Sequence, residues 1–330
     1  MTLADPLRSR VVIVGVSAYP AMPADRQLPT VRDNVDDLAA RLRDPGVWGI
    51  PESRITALKE PHRADAVIDA LRAARADAAE ALIFYYAGHG LTDPLVGGQL
   101  YLALRDVYEP AGTHLALQFE HVRREFLLST APRKLVILDC CWSGLATRGA
   151  MGENVAAATV IRGSAVLTAS AANRTALAPP GEKHTAFTGA LLRILADGIA
   201  GEPELLTTMA LYRQLHADLK AVSRPLPELN AGGTGADIPW VRNAGFVRPK
   251  PGDRPGVVED GPGSPPPFAA SDAMERMLLL VRQSRYDEVH QLGRQAAELG
   301  EDRALDWLVL QLRRTGRYEE AAAVERARQK

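Results

Sequence analysis

Residues 81–90 read ALIFYYAGHG, and residues 134–141 read KLVILDCC. Each stretch is a short apolar run that ends in a polar cluster, Gly88-His89-Gly90 in the first and Asp139-Cys140-Cys141 in the second. Apolar runs of this length are typical of strands that are buried on both faces of a sheet. We therefore predict two core strands, each followed by a polar cluster at its carboxyl end.

Strand and helix patterns alternate along the first 250 residues on either side of these two runs. Apolar runs predict strands at Arg10–Val16, Ile55–Leu58, Ala81–Ala87, Leu100–Leu104, Lys134–Leu138 and Ala165–Thr168. Apolar residues spaced by three and four predict helices at Val31–Leu42, Ala64–Ala79, Glu120–Ser129, Ala186–Ile199 and Met209–Val222. Strands joined through helices imply a mostly parallel sheet with helices on both faces, so the predicted fold class is α/β.

The composition excludes several classes of protein. The chain has 330 residues, of which 46% are hydrophobic and 24% charged, which is enough to bury a large core. A net charge of -1 argues against a dedicated nucleic-acid-binding protein. The two cysteines are adjacent, which argues against a disulfide framework and against a zinc site built on cysteine. We find neither a signal-peptide pattern nor an apolar run near the roughly 20 residues that span a bilayer, so we expect a soluble, cytoplasmic protein without membrane association.

A change in composition divides the chain. Between Arg248 and Pro267, eleven of twenty residues are Pro or Gly, a density that neither helix nor strand tolerates. We therefore predict a domain over residues 1–247, a linker over 248–267 and a small helical extension over 268–330.

The extension contains an internal sequence repeat. The pattern at 285–288 (RYDE) recurs at 317–320 (RYEE), 32 residues later. This period resembles that of tetratricopeptide repeats, which are pairs of antiparallel helices. About one and a half repeats fit in the extension, so we expect it to need support from the first domain, a second copy or a partner protein. A helical tail on a Pro-rich tether is also a means of recruitment.

The two polar clusters are the candidates for chemistry. Ligands of open parallel sheets bind beyond the carboxyl ends of the strands, so neighbouring strands would bring the His89 imidazole and a thiol to one crevice. A nearby imidazole lowers the pKa of a thiol and later protonates the leaving amine. Flanking glycines allow close approach of the backbone to a substrate carbonyl.

With YYAGHG at 85–90 and LDCCWSG at 138–144, the chain resembles the caspase and metacaspase group of cysteine proteases. His89 precedes Cys141 by 52 residues, similar to the spacing of about 50 in that group. The resemblance covers roughly residues 8 to 246 and implies a caspase-like three-layer α/β/α fold. It also implies a cysteine endopeptidase with a Cys-His dyad and an oxyanion hole formed by the N–H groups of Gly90 and Cys141.

The same resemblance distinguishes the two cysteines. The metacaspase pattern Asp-x-Cys-His-Ser-Gly aligns Cys141 with the nucleophile, and Trp142 replaces the usual His. Because side chains alternate along a strand, Cys140 would then face the opposite way and pack as a small hydrophobic residue.

Specificity is also inferred from the resemblance, which places Asp139, Asp33 and Ser170 among the substrate-binding residues. The carboxylate of Asp139 favours cleavage after Arg or Lys. In the metacaspase pattern of the first helix, however, Asn34 stands at the acidic position and Asp33 lies one residue earlier. Arg174, after the later strand, would instead suit an acidic substrate, so cleavage after Asp is an alternative. Asp139 could also simply cap its turn, and Asp33 could belong to a solvated helix face.

Members of this group often cut themselves after the nucleophile, and Arg148 and Arg162 lie in that interval as possible autocleavage sites. The alternative is a surface loop with two solvated arginines. No cofactor is implied. Calcium dependence, which some metacaspases show, stays open because no EF-hand loop is found.

Two other functions remain open. The chain could be a catalytically silent scaffold or adaptor whose tail recruits partners, or it could use its thiol for acyl transfer to a non-peptide substrate. The expected partners of the protease are protein substrates and an activator bound by the C-terminal helices. By analogy with the group, the setting would be a stress or defence response.

Overall fold

The computed structural model of the chain describes residues 2–92, 99–108, 112–142, 161, 163–169, 181–231 and 235–247, together with residues 289, 292, 308, 309, 320 and 324. At positions 92, 112, 141, 142 and 235 it describes the backbone alone. The chain divides into two compact units, Met1–Arg248 and Pro249–Lys330. In the second unit the described residues are all helical. The predicted linker and most of the repeat-like pattern of the tail lie outside the described residues.

The strands of the first unit are β1 (Arg10–Gly15), β2 (Ile55–Lys59), β3 (Ala81–Thr92), β4 (Leu100–Leu102), β5 (Leu117–Gln118), β6 (Arg133–Trp142), β7 (Ala165–Ala169), β8 (Leu205–Thr207), β9 (Pro227–Ala231) and β10 (Pro239–Arg242). The main sheet has the order β2-β1-β3-β6-β7-β9, in which the first five strands are parallel and β9 is antiparallel. β4 pairs with the end of β3 and with β5, whereas β8 and β10 form a separate two-stranded sheet. β3 and β6 are the central neighbours.

The helices are α1 (Thr30–Arg43), α2 (Ala64–Asp77), α3 (Phe119–Leu128), α4 (Ala186–Asp197) and α5 (Thr208–Ala221). α4 packs against both α1 and α5, and α2 packs against α3. Both α1 and α2 also pack against β1. These contacts confirm the predicted α/β class, a mostly parallel sheet flanked by helices. None of the helices in the described part of the chain has the length and apolar character needed to cross a bilayer.

Side-chain alternation divides the core strands between two apolar layers. Odd-numbered residues of β1, β3 and β6 line a small apolar cavity of about 40 Å³, together with residues from α1, α4 and α5. The strand residues on this face are Val11, Ile83, Tyr85, Leu135 and Ile137. The even-numbered residues Val12, Phe84 and Val136 are fully buried and belong to the opposite face. Burial on both faces explains why the core strands are continuous β-branched and aromatic runs.

The predicted helices and strands are present, but the two central strands are longer than predicted. β3 continues past Ala87 because residues Gly90–Thr92 pair with β4 in an antiparallel ladder. β6 continues past Leu138 because residues 139–142 pair with the extended part of β3. Both polar clusters therefore lie within paired strands, rather than beyond their ends. Pairing between distant segments is not visible in a local pattern, which also explains why β5, β8, β9 and β10 were not predicted.

Candidate active site

The pairing of β3 with β6 brings the two residues of the predicted dyad side by side. The strands are parallel and in register, and His89 is paired with Cys141. Gly90 and Trp142 occupy the next pair. The two polar clusters thus lie on neighbouring strands, which is the condition for His89 and a thiol to meet at one crevice.

The His89 imidazole is fully buried and is held by a main-chain group. Its Nε2 lies 2.7 Å from the carbonyl oxygen of Arg26, in the short 3-10 helix Ala24–Arg26. A carbonyl oxygen can only accept a hydrogen bond, so Nε2 carries the proton. In the neutral ring, Nδ1 is then the basic nitrogen. The arrangement is suited to a general base that acts through Nδ1.

Two tyrosines hold the backbone of His89. Its N–H donates to the Tyr19 hydroxyl (2.9 Å), and the single proton of the Tyr86 hydroxyl is shared between the carbonyl oxygens of Ala103 (2.7 Å) and His89 (2.9 Å). The two hydroxyls are also hydrogen-bonded to one another, and the Tyr19 ring lies against the imidazole with the ring centroids 4.7 Å apart. Burial raises the pKa of Tyr19 far above its ordinary value, so this hydroxyl stays protonated. Neither tyrosine was predicted as a site residue, although Tyr86 lies within the quoted YYAGHG motif.

Gly88 provides the space for these two hydroxyls. A Cβ atom at this position would lie 2.5 Å from the Tyr86 Oη and 2.8 Å from the Tyr19 Oη, closer than any ordinary contact. The first glycine of the Gly-His-Gly cluster is therefore explained by packing against the tyrosines.

Asp139 lies two residues before Cys141 and is fully buried. Its Oδ2 accepts hydrogen bonds from the hydroxyls of Thr185 and Thr188, and lies 3.4 Å from the Asn34 Nδ2. Its Oδ1 has no hydrogen-bond partner among the described residues. Burial raises the pKa of this carboxyl to about 6, although the hydrogen bonds to Oδ2 act in the opposite direction. One oxygen of the carboxylate is thus saturated with donors, while the other is open to a further one.

The residues around Asp139 connect three elements to the end of β6. Asn34 comes from α1, and its amide donates to the Thr185 hydroxyl (2.8 Å) and accepts from the Thr185 N–H (3.3 Å). Thr185 is also the N-cap of α4, accepting from the Thr188 N–H. Tyr85 of β3 is hydrogen-bonded to the Thr188 hydroxyl at 2.7 Å. The strand that carries Cys141 is therefore fixed to α1, β3 and α4 through one carboxylate.

Asp139 and Asp33 are both predicted to bind substrate. In the structure, however, Asn34 and not Asp33 lies beside Asp139. Asp33 is only half-buried and is not among the hydrogen-bond donors or acceptors in the Asp139 cluster. In the metacaspase pattern of the first helix, Asn34 stands at the acidic position and Asp33 lies one residue earlier. Thr185 and Thr188 belong to none of the motifs in the sequence that predicted site residues. Ser170, Arg148 and Arg162 lie outside the described residues.

The other cysteine, Cys140, is fully buried, as expected for a core residue. No group of three or more His, Cys, Asp or Glu side chains within the described ranges is arranged to hold a metal ion.

Two solved structures and one protein family are similar to this chain. Caspase-1 from Spodoptera frugiperda superimposes with a TM-score of 0.45 and 10% identity, covering 70% of this chain and 88% of that one. A protein from Geobacter sulfurreducens gives a TM-score of 0.47 and 17% identity, covering 69% of this chain and 94% of that one. No curated protein sequence matches the chain. The sequence profile of the caspase domain matches residues 8–248, nearly the whole first unit. The chain therefore belongs to the caspase-domain family.

Proposed function

We propose that this chain is a cysteine endopeptidase in which Cys141 is the nucleophile and His89 the general base. The observation that carries the proposal is the paired position of these residues in β3 and β6, combined with the hydrogen bond from the His89 Nε2 to Arg26. Paired residues of neighbouring parallel strands share a face of the sheet, so the proposal places the Cys141 thiol on the imidazole's side.

In the proposed reaction, the His89 Nδ1 takes the proton of the Cys141 thiol, and the sulfur forms a bond to the scissile carbonyl carbon. The electron pair of the carbonyl moves to oxygen, where the main-chain N–H groups of Gly90 and Cys141 are the proposed donors. The C–N bond then breaks, and the imidazolium gives its proton to the leaving amine. Water, activated by the same imidazole, hydrolyses the thioester and regenerates the thiol.

The proposed preference is for Arg or Lys on the amino side of the cleaved bond. The support is the Asp139 carboxylate, of which Oδ1 has no hydrogen-bond partner among the described residues. An ammonium or guanidinium group would complement such an oxygen with a charge-assisted hydrogen bond. Asn34 is neutral, so a single carboxylate would have to provide this recognition.

A panel of fluorogenic peptides that differ only in Arg, Lys, Asp or Asn before the cleaved bond tests both proposals. We expect cleavage of the Arg and Lys peptides, abolished in Cys141→Ala and weakened at least tenfold in Asp139→Asn. Cleavage after Asp alone would refute the basic preference and favour the alternative specificity. Absence of cleavage under every condition would favour the alternative that the chain is a catalytically silent scaffold.

We further propose that the enzyme cuts itself after Arg148 or Arg162. Both are basic residues that follow the nucleophile in the sequence, in agreement with the proposed specificity. Intact mass spectrometry of the wild type should then give fragments that end at one of these residues. Cys141→Ala should remain intact, and so should the double variant Arg148→Ala/Arg162→Ala. Identical uncleaved masses for the wild type and Cys141→Ala would refute autoprocessing.

The helical extension is the proposed site of recruitment by an activator or partner protein. The support is compositional, namely a Pro- and Gly-rich segment followed by a sequence echo at a 32-residue step. Purification of Cys141→Ala with an intact tail should retain a partner that is lost when Tyr286 and Tyr318 are both replaced by Ala. If Cys141→Ala retains the same proteins with and without the two tyrosine replacements, the proposal is contradicted.

A further inference from the structure

The segment over residues 17–28, here called the 17–28 loop, supplies two of the groups that hold His89. It leaves the sheet after β1, and its end returns to its start, where the Leu28 N–H donates to the Ser17 carbonyl at 2.9 Å. Within it lie the Tyr19 ring and the Arg26 carbonyl that contact the imidazole. A compact loop with closed ends depends on its own side chains for its shape.

The Gln27 amide is the central connection within this loop. Its Oε1 accepts from the Tyr19 N–H at 2.8 Å. Its Nε2 faces three carbonyl oxygens of the loop, those of Tyr19 (3.0 Å), Met22 (3.1 Å) and Pro23 (3.2 Å). A side-chain amide both donates and accepts hydrogen bonds. Gln27 alone therefore connects the two sides of the loop.

Glu60 anchors the start of the same loop. Its carboxylate accepts from the Ser17 N–H (2.9 Å), the Ser17 hydroxyl and the Ala18 N–H (3.2 Å). Glu60 has a φ of 52°, a conformation that is uncommon for residues other than glycine. Such strain is maintained only where the surroundings determine it. The loop is thus fixed at its entry by Glu60 and in its interior by Gln27.

We propose that Gln27 is a positioning residue for the His89 imidazole. Its described hydrogen bonds all go to the main chain of the 17–28 loop, and it acts by holding Tyr19 and Arg26 in place. The Arg26 oxygen fixes the Nε2–H tautomer, and the Tyr19 ring fixes the orientation of the imidazole. The inference rests on the proposed function, in which Nδ1 is the base. Small displacements of such a group are costly, because proton transfer depends strongly on geometry.

The test compares Gln27→Ala and Gln27→Glu with Gln99→Ala in the full chain. Gln27→Glu keeps the acceptor for the Tyr19 N–H but replaces the donor with an oxygen that repels the three carbonyls. Gln99 is a matched control, because it is also a half-buried glutamine whose amide oxygen accepts two hydrogen bonds, from Tyr101 and Gln118. The readouts are the ring nitrogen shifts of His89 by ¹⁵N NMR and the kinetics of cleavage of an Arg peptide. The His89 signals are assigned by their loss in His89→Gln.

In the wild type and in Gln99→Ala, we expect one tautomer of His89, with Nε2 protonated and Nδ1 unprotonated above the pKa of the ring. Both Gln27 variants should give averaged shifts of the two nitrogens. Their kcat for the Arg peptide should fall at least tenfold, with KM changed by less than about twofold.

Wild-type shifts and kcat in a folded Gln27 variant would overturn the proposal. Loss of the fold in both Gln27 variants, with Gln99→Ala intact, would also overturn it by assigning Gln27 a purely structural role. The NMR readout does not require activity. If the wild type cleaves no peptide but its His89 tautomer is fixed and is lost in the Gln27 variants, the proposed function fails and the positioning role is supported.

Discussion

The imidazole Nε2 of His89 lies 2.7 Å from the main-chain oxygen of Arg26. The group that orients the proposed general base is therefore a backbone carbonyl from a 3-10 turn that lies 63 residues away in the sequence. A carbonyl is neutral and fixes the tautomer without adding a negative charge beside the ring. The proposed catalytic machinery is thus a dyad in its side chains, with a third member supplied by the main chain.

Replacement of the Arg26 side chain should leave this contact in place. In Arg26→Ala the main-chain oxygen remains, so we expect the kcat for an Arg peptide to stay within about threefold of the wild-type value. Steady-state kinetics on both proteins measures this. A decrease of more than tenfold, with an unchanged fold by circular dichroism, would show that the guanidinium, and not the carbonyl, is the group that matters.

Substitution of Gly88 should destabilise the chain strongly. In Gly88→Ala the new methyl group would lie 2.5 Å from the Tyr86 Oη and 2.8 Å from the Tyr19 Oη, so one of the hydroxyls must move. We expect the free energy of unfolding in urea to fall by about 2 kcal/mol or more, as for other overpacked sites. Gly189→Ala is the control, because a Cβ there meets its nearest neighbour at 3.5 Å. Gly189 is a helical residue at the end of the first turn of α4, so its replacement by Ala should stabilise the chain by up to about 0.5–1 kcal/mol. Equal effects at the two glycines would contradict the packing argument.

Asp139 should make the folded chain less stable as the pH rises. Burial raises its pKa to about 6, so between roughly pH 4 and 6 the folded chain binds this proton more tightly than the unfolded chain. Stability then decreases through this window, by an amount on the order of 3 kcal/mol from this one group. Asn cannot ionise. The difference in unfolding free energy between Asp139→Asn and the wild type should therefore increase in favour of the variant from about pH 4 to 7. A difference that is constant with pH would contradict the raised pKa.

The cavity beside α1 and α4 should accept a methyl group. Val11 lines this cavity of about 40 Å³, whereas Val12 lies on the opposite face and is fully buried without lining it. We expect Val11→Ile to change the unfolding free energy by 0 to about 1 kcal/mol in the stabilising direction. Val12→Ile adds a carbon to a fully buried site that does not line this cavity, and should cost about 1–3 kcal/mol. Thermal unfolding of both variants measures the difference, and the same sign for both would contradict the assignment of the two faces.

Local patterns were sufficient to predict the two central strands and the polar cluster that each of them carries. The strands at 81 and 134 are recognisable because burial on both faces requires apolar, β-branched residues. The extension of β3 to Thr92 depends on a ladder with Leu100–Leu102, a non-local contact that leaves little trace in the sequence. The strand ends were for this reason predicted too early.

The surroundings of His89 and Asp139 were harder to predict, for a different reason. The Arg26 contact uses a main-chain oxygen, and such a group carries no residue identity that a motif could reveal. Tyr19 reaches His89 from a loop 70 residues away, and Thr185 reaches Asp139 from the N-cap of α4. Asn34 occupies the acidic position of the first-helix pattern, but that pattern predicts an acid there and not the amide that contacts Asp139.

Covalent labelling tests whether Cys141 is a nucleophile that His89 activates in a site for basic residues. A peptide that ends in Arg followed by an acyloxymethyl ketone is incubated with the full chain, and the intact mass is measured. We expect one adduct on the wild type and on Cys140→Ala, no adduct on Cys141→Ala, and slow labelling of His89→Ala. An adduct that persists in Cys141→Ala, or a wild type that is labelled only by the corresponding Asp peptide, would contradict this expectation.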